Sequence, residues 1–212
     1  MFAFMENTQC PICHFSDTKP IFDNTLLKCQ NCGHGWANLQ LDHAYLQQLY
    51  AENYFKGEEY ADYLADKEIL QMNFGKRAKQ IAQMASEPKE VLEIGCAYGF
   101  FYETIQQTFK GIHYQGYDIS QDAIQYANQH FGPHFSAENY LEVSNSKTYD
   151  AVFMWDVIEH LSDPSAFLAK AHKECKPGAM LYLTTGDFGA LLPRLQGKKW
   201  RMIHPPTHLH YF

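Results

Sequence analysis

The chain has 212 residues, 46% hydrophobic and 19% charged. That composition argues against disorder and suffices for one good core plus a small appendage. A net charge of −7, with a pI near 5.8, disfavours a general nucleic-acid binder, which needs a dominant basic face.

No apolar run approaches the roughly 20 residues that cross a bilayer. The start, M-F-A-F-M-E-N-T, lacks the basic and long apolar regions of a secretory signal, so a cytoplasmic location is expected.

The first unit is Cys10–Cys32, where C-P-I-C and C-Q-N-C-G are separated by fifteen residues. Two cysteines with two residues between them can face one point from a tight turn. Two such knuckles supply four thiolates to a tetrahedral Zn²⁺. Cys10, Cys13, Cys29 and Cys32 are therefore the expected metal ligands. In a reducing compartment, paired cysteines of this kind suggest metal rather than disulfides. Four thiolates leave no open position, so the site is expected to be structural. His14 and His34, beside the knuckles, read as surface residues. The expected zinc ribbon spans residues 1–42.

Residues 43–88 read as a helical connector and a first helix. Tyr45–Phe55 is aromatic and helical at its start. Asp62–Ala85 places Leu64, Ile69, Met72, Ala78, Ile81 and Met84 at helical spacing, and Ser86-Glu87-Pro88 ends the helix. Tyr50, Tyr54, Phe55 and Tyr60 suit either packing between domains or a lid over a ligand.

The stretch Val91–Phe101, V-L-E-I-G-C-A-Y-G-F-F, follows. A buried strand here hands over to a helix through a turn that a ligand can approach closely. Gly95 and Gly99 tolerate positive φ, and the helix N-terminus points free N–H groups at the turn. Glu93 adds an acceptor. The G-x-x-x-G spacing does not match the dinucleotide fingerprint G-x-G-x-x-G.

E-I-G-C-A-Y-G resembles the first motif of class I S-adenosylmethionine-dependent methyltransferases, with Ala97 where that motif has its middle glycine. The resemblance implies that Glu93, Gly95, Cys96 and Gly99 line a cofactor site.

Strand and helix then alternate. Val91–Gly95, Tyr114–Asp118, Phe135–Ala137, Asp150–Trp155 and Met180–Thr184 read as strands. Phe100–Phe109, Gln121–Phe131 (capped by Ser120) and Pro164–Cys175 read as helices, and Pro177-Gly178 as a breaker. This predicts an α/β domain over 89–212: a Rossmann-like parallel sheet with helices on both faces.

Ligands of such sheets bind at the carboxyl ends of the strands. Asp118 ends the second strand, where a carboxylate can accept both ribose hydroxyls, and Ile119 follows it. The resemblance implies that Glu138 and Asn139 touch the adenine. It places Asp156, in M-W-D-V-I-E-H-L-S-D-P, at the methionine end of the cofactor. Glu159 and His160 become the candidate base on the substrate side. Cys96 and Cys175 otherwise read as small buried hydrophobes.

The tail, L-P-R-L-Q-G-K-K-W-R-M-I-H-P-P-T-H-L-H-Y-F, carries Trp200, Arg201, His204, His208, His210 and Tyr211, groups that recognise polar ligands. Lys198-Lys199 with Arg201 reads as a solvated basic loop. The order of motifs over nearly the whole chain is similar to the zinc-bearing deoxysugar C-methyltransferases. That family's sheet closes with two further strands, which are not seen before Phe212, so a truncated piece or a short member is expected.

The fifth strand would then be an uncovered apolar edge. The tail folding back on it, or a second copy pairing with it as a homo-oligomer, could cover it. The expected function is methyl transfer from S-adenosylmethionine to a small polar metabolite, a nucleotide-linked sugar among the candidates. The alternatives are a zinc-ribbon RNA methyltransferase and a cofactor-binding module without turnover.

Overall fold

The computed structural model describes residues 9–39, 63–84, 87–144 and 146–212. The expected connector residues Tyr50, Tyr54, Phe55 and Tyr60 lie outside them. No helix among the described residues is long and apolar enough to cross a membrane.

The chain forms two compact units. One holds the described residues of 1–46 with Asp156–Ala166 and Leu183–Phe212. The other holds those of 47–155 with Phe167–Tyr182. The ribbon thus does not stand alone over 1–42, as expected, but groups with the tail.

Its sheet has the order β1-β2-β3-β9, built from β1 (Thr18–Ile21), β2 (Leu26–Cys29), β3 (Gly35–Ala37) and β9 (His210–Tyr211), every pair antiparallel. Alternation along the strands explains why β2 reads L-L-K-C. Leu27, opposite Trp36, packs with Cys10 and Cys29. Leu26, opposite Ala37, packs with Trp200, Leu209 and Tyr211 of the tail. Both faces are covered, one by the knuckles and one by residues about 170 positions away in sequence.

The second unit is built on a sheet of order β6-β5-β4-β7-β8. Its strands are β4 (Glu90–Ile94), β5 (His113–Asp118), β6 (Phe135–Ala137), β7 (Tyr149–Trp155) and β8 (Cys175–Thr184). The pairs β4–β5, β4–β7 and β5–β6 are parallel, as predicted. Val91 and Leu92 of β4 and Val152, Phe153 and Met154 of β7 are fully buried, the continuous apolar runs of strands covered on both faces. The helices are α1 (Lys67–Met84), α2 (Phe100–Thr108), α3 (Gln121–Phe131) and α4 (Pro164–Lys173). Ser120 caps α3 by accepting the Ala123 N–H, as expected.

Two expectations are corrected. In α1 the packed stripe is Leu70, Phe74, Ala78 and Ile81, with the Phe74 ring edge-on to Phe101 at 5.4 Å. Ile69, Met72 and Met84 face solvent, because the apolar positions read from the sequence lie on both sides of the helix, and Leu64 precedes it. Pro177-Gly178 does not break the chain; β8 runs through it, with Gly178 at φ +84°. An edge strand tolerates a residue without an N–H, and β8 is the edge. Met180, Leu181 and Leu183 stay substantially exposed there, while the tail strand β9 pairs with β3 instead.

Candidate functional site

The turn after β4 runs through three left-handed residues, Gly95 (φ +76°), Ala97 (φ +44°) and Gly99 (φ +76°). At Gly99 a Cβ would sit 2.8 Å from the Phe135 ring, so helix α2 can start there only on glycine. Ala97 holds the strained conformation without being glycine. The strain is offset by its N–H, which donates to Asp118 Oδ2 at 2.9 Å. The Ser120 N–H donates to the other oxygen, Oδ1, at 2.9 Å. Asp118 is thereby locked at the carboxyl end of β5, beside the turn. Burial raises its pKa, opposed by the N–H groups of Ser120, Ala97 and Ile119. No side chain caps α2 at Gly99, which suits a ligand that accepts from its first-turn N–H groups.

The remaining cofactor candidates divide. Ile119 is 47% exposed, an unusual state for an isoleucine directly after a buried strand, and it offers an apolar wall. Glu93 is buried and takes the Tyr114 hydroxyl. Burial, and then the charge of Asp118, pushes its carboxyl well up, against the pull of Arg77. Cys96 is buried under the turn, and a Cβ on Gly116 would meet its Sγ at 2.8 Å. Asn139 is engaged locally: its Oδ1 takes the Leu141 N–H and its amide reaches Glu142, capping the short 3-10 turn Tyr140–Glu142. Glu138 is exposed.

In the other unit, Asp156 is exposed at φ +54°, and its N–H donates to the Thr184 carbonyl at 3.0 Å. Glu159 and His160 lie in the 3-10 turn Ile158–His160. The structure adds His208 to them. One ligating atom from each of Glu159, His160 and His208 lies within 4.8 Å of the others. The tail is fastened to this turn by its backbone: Leu209 N–H donates to the Glu159 carbonyl at 2.8 Å, and His160 Nδ1–H to the Thr207 carbonyl at 2.9 Å. His208 Nδ1–H donates to the Met202 carbonyl at 2.8 Å. With Nδ1 carrying the proton in both rings, Nε2 is the basic atom of each. Glu159 is buried, with the Thr185 side chain beside its carboxylate. Burial and then the Asp156 charge raise its pKa, against His208 and Thr185. The sequence named His208 only as a tail residue; 48 positions from His160, nothing in the spacing joins them.

The four ribbon cysteines converge. All four Sγ atoms lie within 4.8 Å of one another, with Cys10–Cys32 at 3.7 Å and Cys13–Cys29 at 3.5 Å. A tetrahedral zinc with Zn–S bonds of about 2.3 Å separates its sulfurs by about 3.8 Å, so the set fits such an ion. The Phe15 N–H, the largest influence on Cys13, helps to hold its thiol down to about 6. The Asn31 N–H points at Cys29 Sγ at 3.4 Å. At Cys13 the lowering favours the thiolate.

His14 is exposed as expected, but His34 is not a surface residue. It is buried, and its Nε2 meets His210 Nδ1 at 3.0 Å. Trp200, His208, His210 and Tyr211 are likewise buried, in or beside the ribbon core, so the tail is largely structural rather than a row of exposed ligand groups.

Comparison with known proteins agrees with this architecture. A ubiquinone biosynthesis O-methyltransferase of Hydrogenovibrio crunogenus is 28% identical over 117 residues, 51% of this chain and 48% of the relative. One from Aromatoleum aromaticum is 29% identical over 132 residues, 58% and 55% respectively. The chain thus spans about half the length of these curated relatives.

Among solved structures, the plantazolicin methyltransferase BpumL in complex with SAH superposes with a TM-score of 0.55 at 18% identity, covering 72% of this chain and 60% of that one. Its complex with a monoazolic desmethylPZN analog and SAH gives 0.51 at 19%, covering 61% and 51%. These likenesses show the fold. A family model described as a methyltransferase domain matches residues 60–212, most of the chain, and the chain belongs to that family.

Proposed function

We propose that this chain is an S-adenosylmethionine-dependent methyltransferase domain acting on a hydroxyl of a small molecule. The observation that carries the reading is the corner after β4. Its left-handed backbone at residues 95, 97 and 99 lies against an Asp118 carboxylate that the Ala97 N–H holds in place. In this reading Asp118 accepts the ribose hydroxyls, Ile119 walls the adenine, and Glu93 with the start of α2 serves the polar part of the cofactor. Glu138 and Asn139 have a lesser claim, since Asn139 is already spent on a cap. S-adenosylmethionine supplies a methyl group made electrophilic by its sulfonium.

The chain's share is then to align an acceptor and take its proton. His160 is the candidate base, and His208 now stands beside it with an equally anchored ring. The buried carboxyl of Glu159 favours the imidazolium that forms when a proton arrives. The hydroxyl acceptor draws support from relatives named as O-methyltransferases. The nucleotide-linked sugar expected from the deoxysugar subfamily draws none. RNA remains disfavoured by the acidic composition. The four cysteines hold a structural zinc that contributes to ribbon stability.

Calorimetry with S-adenosylhomocysteine, followed by label transfer from S-adenosylmethionine into a small-molecule extract, tests the reading. Binding and transfer are expected, with His160→Gln and His208→Gln lowering turnover while leaving the affinity unchanged. Binding without transfer to any acceptor would reduce the chain to a cofactor-binding module; no binding would remove the cofactor assignment.

A further inference from the structure

The segment after β8 presents a surface that the methyl-transfer reading does not use. Helix α5 (Leu191–Gln196) carries Leu191, Leu192 and Leu195 at 72%, 58% and 75% exposure, among the most exposed large apolar side chains described. Positions i, i+1 and i+4 share one helix face, so the three leucines form one apolar patch. The opposite side is anchored: Pro193 is buried, and Trp200 sits in the ribbon core with Leu26 and Tyr211. The patch is therefore held outward by packing rather than left over from a loose loop.

Cations are interleaved with it and follow it in the sequence. Arg194, Lys198, Lys199 and Arg201 all lie within eight residues and all reach solvent, in a chain whose net charge is −7. Lys198 is partly engaged by Asp23 at 2.6 Å.

Exposed leucines flanked by lysine and arginine are the composition of an interfacial membrane anchor. We infer that this face docks on an anionic lipid surface, with the leucines entering the acyl boundary and the cations meeting headgroup phosphates. A second copy is a poorer occupant. A two-fold contact sets a patch against itself, which would bring the four cations of one copy against the same four of the other. An anionic bilayer satisfies both the apolar and the charged parts.

The test is co-sedimentation of the full chain with phosphatidylglycerol vesicles and with phosphatidylcholine vesicles, at low and high salt. Binding to the anionic vesicles alone, weakened by salt, is expected. Lys199→Gln and Arg201→Gln should each weaken it about fivefold, the usual scale for one cation at such a surface. Leu192→Glu/Leu195→Glu should reduce it more than tenfold, with the melting temperature and zinc content unchanged. No sedimentation of the wild-type chain with anionic vesicles, or equal binding to both kinds, overturns the inference. So does concentration-dependent self-association abolished by the leucine substitutions, which would make the patch a contact between copies.

Discussion

Acidification from pH 7 to pH 5 should cost this protein about 2 kcal/mol for each of two side chains, His34 and His210. The two rings are buried and hydrogen-bonded to each other at 3.0 Å, Nε2 to Nδ1. Carbonyls of Leu161 and Ser162 beside His210 favour a proton on its Nε2. His210 Nδ1 therefore accepts from the His34 Nε2–H, and the buried His34 Nδ1 is a bare lone pair without a partner among the described residues. Protonating either ring would bury an imidazolium against a neighbouring ring, a cost that the Asp163 charge near His210 only partly offsets. Burial accordingly drives His34 down to about 3, helped by His210, and His210 down to about 4, from an ordinary 6.5.

The unfolded chain thus takes up protons as pH falls through 6.5 while the folded chain refuses them. The stability is fully present above 6.5 and is lost as pH falls toward 4 and 3. At pH 5 the unfolded state has gained about 1.5 pH units of protonation free energy per ring, hence the 2 kcal/mol.

Urea unfolding of the wild type and of His34→Phe/His210→Phe at both pH values measures it. Phenylalanine keeps a ring in the stack with Trp36 and Phe212. The double variant should lose about 4 kcal/mol less than wild type over this interval. Zinc measured at both pH values separates metal loss from imidazole protonation. An unchanged pH dependence in the double variant would refute the reasoning.

Asp118→Ala should weaken S-adenosylhomocysteine binding by about 1.5–3 kcal/mol in calorimetry, the scale of hydrogen bonds to a charged group; unchanged affinity would remove Asp118 from the ribose. Gly99→Ala should destabilise by about 2–4 kcal/mol in thermal unfolding, because a left-handed alanine adds to a contact 2.8 Å from Phe135. One zinc per chain is expected by elemental analysis, and Cys13→Ser should abolish it and loosen the ribbon. Stoichiometric iron in its place would reassign the site.

Much of the corner after β4 was legible because its determinants are local. The pattern E-I-G-C-A-Y-G carries its own turn geometry. Alternating apolar runs and capped helices dictate a parallel sheet, and Asp118 follows from where the second strand stops. The cysteine pairs were legible for the same reason, since each knuckle is a four-residue event. The stripe on α1 was misread because apolar residues can be threaded at helical spacing on more than one face. Only the partner, here Phe101 against Phe74, selects between faces.

What the sequence by itself determined is the set of local elements and the chemistry they can carry: the knuckles, the glycine turn and the carboxylates at strand ends. What only the tertiary structure decided is how distant segments share those elements. β9 completes the ribbon sheet, His208 joins Glu159 and His160, and His34 meets His210. These pairings join residues 48 to 176 positions apart. They are set by which apolar face needs covering and which backbone groups need partners, and no periodicity or spacing in a single chain encodes that choice.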